Sequence, residues 1–200
     1  MGSRAMKSLL AALGREAAGS VERPAAVRDV MRAFCRAMSA RTGRPVELLI
    51  RAFPADLPIS GLRLDLGDRS VVVVEERTAP EAQLVILGHE LWHEECGDGG
   101  HGPAGARGAA ARGGLGPDGR TAALEILAAQ GVIPRDALLS VAARAESADA
   151  CEVDAETFGL LFGREVRTWV HGRWAEGPVT PATVEGRMRL SLTDLGGRLL

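Results

Sequence analysis

Apolar residues recur with helical spacing at Val27, Val30, Met31, Phe34 and Met38, which predicts an amphipathic helix over residues 25–40. Gly43 and Pro45 end it. The period then changes. Val46–Phe53 reads as a strand, and Leu62, Leu64 and Leu66 alternate with Arg63 and Asp65, as in a strand with one buried and one wet face. Gly67–Asp68 fits a two-residue hairpin turn, and Val71–Val74 supplies a fully apolar returning strand. Three such strands predict a small meander that needs a helix packed on it. The next segment provides that helix. Thr78-Ala79-Pro80-Glu81 has the form of a capping box with proline in the first turn. Leu84, Val85, Leu87, Leu91 and Trp92 give the helix an apolar body, and Gly97 is a natural stop.

The flanks are less patterned. Residues 1–24 are small, polar and charged up to Pro24, and read as an N-terminal tail, disordered or a short helix. Residues 97–119 are rich in glycine and alanine without an apolar period, which predicts a loop, with room for a short helix near Ala109–Arg112. A short helix is expected at Ala122–Gln130. A helical stretch opened by Pro134 reaches about Phe162, a further helix covers Glu165–Val170, and Thr180–Pro181 starts a terminal one. The expected class is α+β, with a single domain over residues 25–200 that follows the tail.

Composition narrows the functional classes. The chain has 200 residues, 46% hydrophobic and 25% charged, which suits one core. A net charge of −2 gives no general attraction to nucleic acid, so no direct nucleic-acid partner is expected. No apolar run approaches a membrane span, and the run Leu9–Leu13 is too short for a secretory signal. Cys35, Cys96 and Cys151 are odd in number and widely spaced, which speaks against a disulfide framework and for the reducing cytoplasm.

The chemistry is carried by His89-Glu90-Leu91-Trp92-His93. Residues four apart share a helix face, so both imidazoles can reach one tetrahedral zinc ion. Glu90, beside the first histidine, can take a proton from a metal-bound water and return it to a leaving amine. The chain has only four histidines, so the pattern is specific. A catalytic zinc needs a third protein ligand. A metzincin would place a histidine at position 99 and its turn glycine at position 96; these are Gly99 and Cys96, so that reading fails. Cys96 and His101 are themselves geometrically possible ligands. So is a carboxylate from Glu146, Asp149, Glu152, Asp154 or Glu156 on the later helix. Glu152 shares a stripe with Cys151, Ala155, Phe158 and Gly159, and a carboxylate on such a small, apolar face calls for a partner.

With these motifs the chain resembles the ImmA/IrrE family of small metallopeptidases. A short meander leads into the His-Glu-x-x-His helix, and a later helix reads Glu152-Val153-Asp154-Ala155-Glu156-Thr157-Phe158-Gly159 against the family's Glu-x-Glu-Ala-x-x-Phe-Ala. The resemblance covers roughly Val27 to Phe162 as an order of elements. It implies a minimal zincin-like, gluzincin-type domain with zinc on His89, His93 and Glu152 and with Glu90 as general base. It also implies a protein substrate or partner, such as a helix-turn-helix regulator or an antitoxin. Asp154 and Gly159 depart from the motif, and Leu160-Leu161-Phe162-Gly163 replaces the usual Leu-Leu-Met-Pro.

Two points bear on mechanism. The chain has no tyrosine, so an oxyanion donor besides zinc must come from His101, His171, an arginine or a backbone amide, and His101 is the first choice. Glu94 and Glu95 lie in the last turn of their helix, where the dipole disfavours carboxylates; they read as partners of a histidine or as exposed, and exposure is the expectation. The expected activity is zinc-dependent hydrolysis of a peptide bond. The alternative is a metal-stabilised binding module acting as the toxin component of a toxin–antitoxin pair.

Overall fold

A computed structural model describes residues 2–53, 59–96, 106–107 and 149–175. Among these, helices α1 (Ser3–Ala18) and α2 (Val27–Thr42) lead into strands β1 (Val46–Arg51), β2 (Gly61–Asp65) and β3 (Ser70–Glu75). Helix α3 (Pro80–Glu95), the short strand β4 (Ala106–Arg107) and helix α4 (Asp149–Val166) follow, and one turn of 3-10 helix (Arg167–Trp169) continues α4. The class is α+β.

The N-terminal segment forms a full helix. Met6, Leu9, Leu13 and Ala17 fall on one stripe of α1, and all four are buried in the main core. That stripe packs against α2, which buries Val30, Met31, Phe34 and Met38. Gly43 ends α2 in the left-handed region, at φ 72°, where a residue without Cβ is favoured.

The sheet is not a meander. Its order is β1-β3-β2-β4, with β1 parallel to β3 and β2 antiparallel to both β3 and β4. The valine run explains the difference. Every residue of β3 is buried, so this strand needs a neighbour on each edge and cover on each face. The β2–β3 hairpin keeps the expected turn: Leu66 donates to the Arg69 carbonyl at 2.9 Å, and Gly67 has φ 86°. Arg63, Ser70, Val72 and Val74 share the face that meets α3, because Arg63 pairs with Val72 and side chains alternate along each strand. Arg63 is therefore buried on a face that simple alternation assigns to solvent.

Helix α3 starts one residue later than a capping box requires. Its N-cap is Ala79, and the Thr78 hydroxyl donates to the Glu75 carbonyl at 2.9 Å. Pro80 occupies the first turn, where its missing N–H costs nothing. Leu84, Leu87, Leu91 and Trp92 bury the apolar body of α3 in the core.

Helices α3 and α4 pack through glycines. A Cβ on Gly159 would lie 2.7 Å from the Val85 carbonyl oxygen and 3.2 Å from the His89 nitrogen. One on Gly163 would meet Val85 Cγ2 at 2.5 Å, and one on Gly88 would meet Phe162 Cβ at 2.6 Å. The contacts pair later residues of α4 with earlier residues of α3, so the helices run antiparallel. Phe158 and Phe162 fill the flanks of this seam, with Trp92 5.1 Å from Phe158 and Phe34 4.7 Å from Phe162 between ring centroids. The expected helices at 109–112, 122–130 and from 180 lie outside the described residues, as does nearly all of the 97–119 loop.

Glycine in a helix interior is disfavoured by about 1 kcal/mol relative to alanine. At Gly159 the added methyl would press on backbone, which cannot rotate away. Gly159→Ala is expected to destabilise the protein by about 1–3 kcal/mol, the usual range for overpacking. A urea-denaturation midpoint equal to or above that of the wild type would show that the helices separate freely.

Candidate metal centre

Three side chains converge at the C-terminal half of α3. His89 and His93 lie one turn apart on the same face, and their Nε2 atoms are 3.0 Å apart. Glu152, at the opposite end of the α4 seam from Gly163, reaches both rings. Its Oε2 lies 3.4 Å from His89 Nε2 and its Oε1 lies 3.5 Å from His93 Nε2. The ligand atoms of the three residues all fall within 4.8 Å of one another, so the group could hold a metal ion. His89 and His93 are buried, and Glu152 is partly open to solvent.

The donor set fits such an ion. Ligands about 2.0–2.1 Å from a tetrahedral centre stand about 3.3 Å apart, close to the spacings found here. Two imidazole nitrogens and one carboxylate suit a borderline divalent transition metal and do not suit calcium or magnesium, which prefer all-oxygen shells. The electrostatics agree. Burial acts to lower the His89 pKa, but the hydrogen bond to Glu152 and the charges of Glu90, Glu152 and Glu156 reverse this and raise it. Burial likewise acts to raise the Glu152 pKa, and the two histidines hold it well below the usual carboxylate range. The two rings and the carboxylate thus form one electrostatically coupled group.

Glu90 has no exposed surface. It faces the start of β2, where a Cβ on Gly61 would lie 3.1 Å from Glu90 Oε1 and 2.3 Å from Ile86 Cγ2. The missing side chain at Gly61 leaves the space that this carboxylate and Ile86 occupy.

The other sequence candidates fare differently. His101 lies outside the described residues. Cys96 caps α3 and is partly buried, and it does not belong to the converging group. Asp154 and Glu156 sit on α4 outside that group too, although the Glu156 charge reaches His89. His171 is exposed on the turn after the 3-10 helix and lines a cavity at the other end of α3, with Pro80 and Glu81.

Glu94 overturns the expectation of exposure. It is 5% exposed and accepts hydrogen bonds from Arg44 Nε at 3.0 Å, Arg63 Nη1 at 2.8 Å and Ser70 Oγ at 2.6 Å. Arg44 also binds Asp65 Oδ1 at 3.0 Å. The network joins the end of α2, strands β2 and β3, and the residue after His93. The last-turn dipole argument fails because this side of α3 faces the sheet, where two guanidinium groups offset the carboxylate. Glu95 is paired as well, with Arg41 Nε at 2.6 Å. A buried arginine within an alternating strand was the available sequence signal, since Arg63 needs an anion once its face is covered.

Removing Glu94 takes from Arg63 its buried, hydrogen-bonded partner and leaves only Asp65 at 4.0 Å. Glu94→Ala is expected to cost about 3–5 kcal/mol, as for a broken buried ion pair. Acid should act in the same direction. Burial raises the Glu94 pKa, but Arg44, Ser70 and Arg63 lower it overall. Hydrogen bonds from Arg77 take Glu75 down to about 2. Carboxylates depressed in the folded state contribute stability that is fully present above their unfolded value of about 4, and it is lost as pH falls through the folded value. Stability should therefore decline from about pH 4 toward pH 2. A wild-type denaturation free energy that stays flat over that window would contradict the network.

For the metal group, one divalent ion per chain is expected, and alanine at His89, His93 or Glu152 should each reduce occupancy measured by elemental analysis by about 10-fold or more. Undiminished occupancy in Glu152→Ala would move the third ligand elsewhere. Comparison with family models, curated protein sequences and solved structures finds no match, so the geometry of these residues is what carries a functional reading.

Proposed function

We propose that this protein is a zinc-dependent peptidase acting on a protein substrate. One observation carries the reading: a buried glutamate, Glu90, is next in sequence to His89 of a His-His-Glu group that could hold a metal ion. A purely structural zinc is normally closed by a fourth protein ligand and has no use for a neighbouring carboxylate. Among the described residues, three ligands converge, which suits an ion with an open position.

The residues have separable roles. His89, His93 and Glu152 would hold the zinc. When bound, zinc supplies Lewis acidity, which polarises a carbonyl and brings the pKa of water from 15.7 to about 7. Glu90 accepts the proton of the attacking water and returns it to the nitrogen of the departing amine. Its carboxylate is kept near the strand edge by the space at Gly61. The Gly88–Gly159–Gly163 seam sets the distance at which Glu152 meets the two rings. The chain has no tyrosine to stabilise the oxyanion, and His101 keeps that assignment in the proposal.

The resemblance to the ImmA/IrrE peptidases, carried by His89-Glu90-Leu91-Trp92-His93 and Glu152-Val153-Asp154-Ala155, supports the same reading. It extends it to a helix-turn-helix regulator or an antitoxin as the protein partner and to the cytoplasm as the compartment. No helix among the described residues is long and apolar enough to cross a membrane.

The test separates binding from chemistry. Zinc-loaded Glu90→Gln is expected to keep its metal and to lose about 10²–10⁴-fold in cleavage of a quenched-fluorescent peptide library. His89→Ala should lose both metal and cleavage. Cleavage at the wild-type rate by Glu90→Gln would end the general-base assignment. A zinc-loaded wild type that leaves the whole library intact would favour the metal-stabilised binding module.

A further inference from the structure

A second polar site lies at the N-terminal end of α3. A cavity of about 50 Å³ lies there, with Pro80 and Glu81 of α3 and Arg167, His171, Arg173 and Trp174 from the segment after α4 among its lining residues. Glu81 and His89 are eight residues apart, about 12 Å along the helix, so this cavity is distinct from the metal group.

Its walls carry two guanidinium groups that form no ion pair among the described residues. The Arg167 guanidinium lies 4.2 Å from the Trp174 ring centroid and the Arg173 guanidinium lies 5.0 Å from it, so one indole carries two cations. No carboxylate among the described residues forms an ion pair with either arginine, although Glu81 stands in the same wall. Among the described residues, Arg167 Nε is shielded from solvent and has no hydrogen-bond acceptor. The Arg167 guanidinium therefore keeps unused donor capacity in the wall of the cavity.

We propose that this cavity binds a carboxylate group carried by a peptide, either an acidic side chain or a chain terminus. Arg167, Arg173 and His171 face the single carboxylate of Glu81 across the cavity, so its lining favours an anion. A planar carboxylate also suits the fork of an arginine, and a small cavity admits one such group. Trp174 is 41% exposed, so its ring offers an apolar surface to the residue that bears the carboxylate. The inference stands whether or not the metal group hydrolyses peptides.

The test follows the indole N–H resonance of Trp174, assigned by its loss in Trp174→Phe, in the full-length protein. Three capped tripeptides serve as probes: acetyl-Ala-Glu-Ala-amide, acetyl-Ala-Gln-Ala-amide, and acetyl-Ala-Ala-Ala with a free carboxyl terminus. Inorganic phosphate at matched ionic strength is the fourth. The glutamate peptide or the free-terminus peptide should give a saturable shift at millimolar concentration, and the tighter of the two identifies the source of the carboxylate. The glutamine peptide should be weaker by at least about tenfold, and phosphate weaker than the better peptide. Arg173→Glu, at an exposed position, should abolish the shift with an unchanged thermal midpoint, and Arg167→Ala should weaken it. Four results would each overturn the site: no saturable shift with either carboxylate, an equal shift with glutamine, tighter binding of phosphate, or undiminished binding by Arg173→Glu.

Discussion

The close approach of α3 and α4 governs the geometry of the functional end of this molecule. Two helices normally pack with axes 8–10 Å apart, set by the side chains between them. Here Gly88, Gly159 and Gly163 remove those side chains, and the Val85 carbonyl lies where a Cβ of residue 159 would stand. The seam fixes both the separation and the register of the helices. With the register fixed, Glu152 arrives opposite His89 and His93, two turns of α4 from Gly159. A carboxylate is short, so its reach depends on where its backbone is held. Glycine at position 159 is therefore structural: a methyl there would open the seam that brings Glu152 to the two histidines.

The opposite side of α3 is held by charge. Glu94 is bound by Arg44, Arg63 and Ser70, from three different elements, and this fixes the roll of α3 on the sheet. Apolar packing alone tolerates small rotations, because contacts with Leu84, Leu87 and Leu91 change gradually. Hydrogen-bonded ions are directional and do not. Since Glu94 follows His93 directly, the same roll that satisfies the network turns His93 toward α4 and Glu90 toward Gly61. The metal group is thus clamped between a glycine seam and an ionic hub.

How much of this was readable in the chain depends on the range of the interaction. Local patterns were reliable. The spacing of Val27, Val30, Met31, Phe34 and Met38 marked α2, the Gly67–Asp68 turn set the hairpin, and the His89–His93 spacing located the donors. The placement of Glu152 was also accessible, since a carboxylate on a stripe with Ala155, Phe158 and Gly159 lacks any apolar reason to be there. Non-local pairing was not. The parallel β1–β3 contact joins segments whose order in the chain suggests a meander, and only the all-buried valine run hinted at a central strand. Arg63 and Glu94 were each assigned to solvent by rules for single elements. Each is buried because the other is there, and a one-dimensional pattern does not show a pair formed across 31 residues. The small, polar start of the chain hid α1 in the same way, since its four buried positions matter only once α2 supplies a surface.

The polarity of α3 unites its two ends. A helix carries partial positive charge at its N-terminus and partial negative charge at its C-terminus. The His-His-Glu group sits in the C-terminal half, where a cation is favoured, and the local carboxylates Glu94 and Glu95 are already neutralised by Arg44, Arg63 and Arg41. The arginine-lined cavity sits at the N-terminus, where an anion is favoured. One helix thereby has a group that could hold a metal ion toward one end and an arginine-lined cavity at the other, about 12 Å apart along its axis.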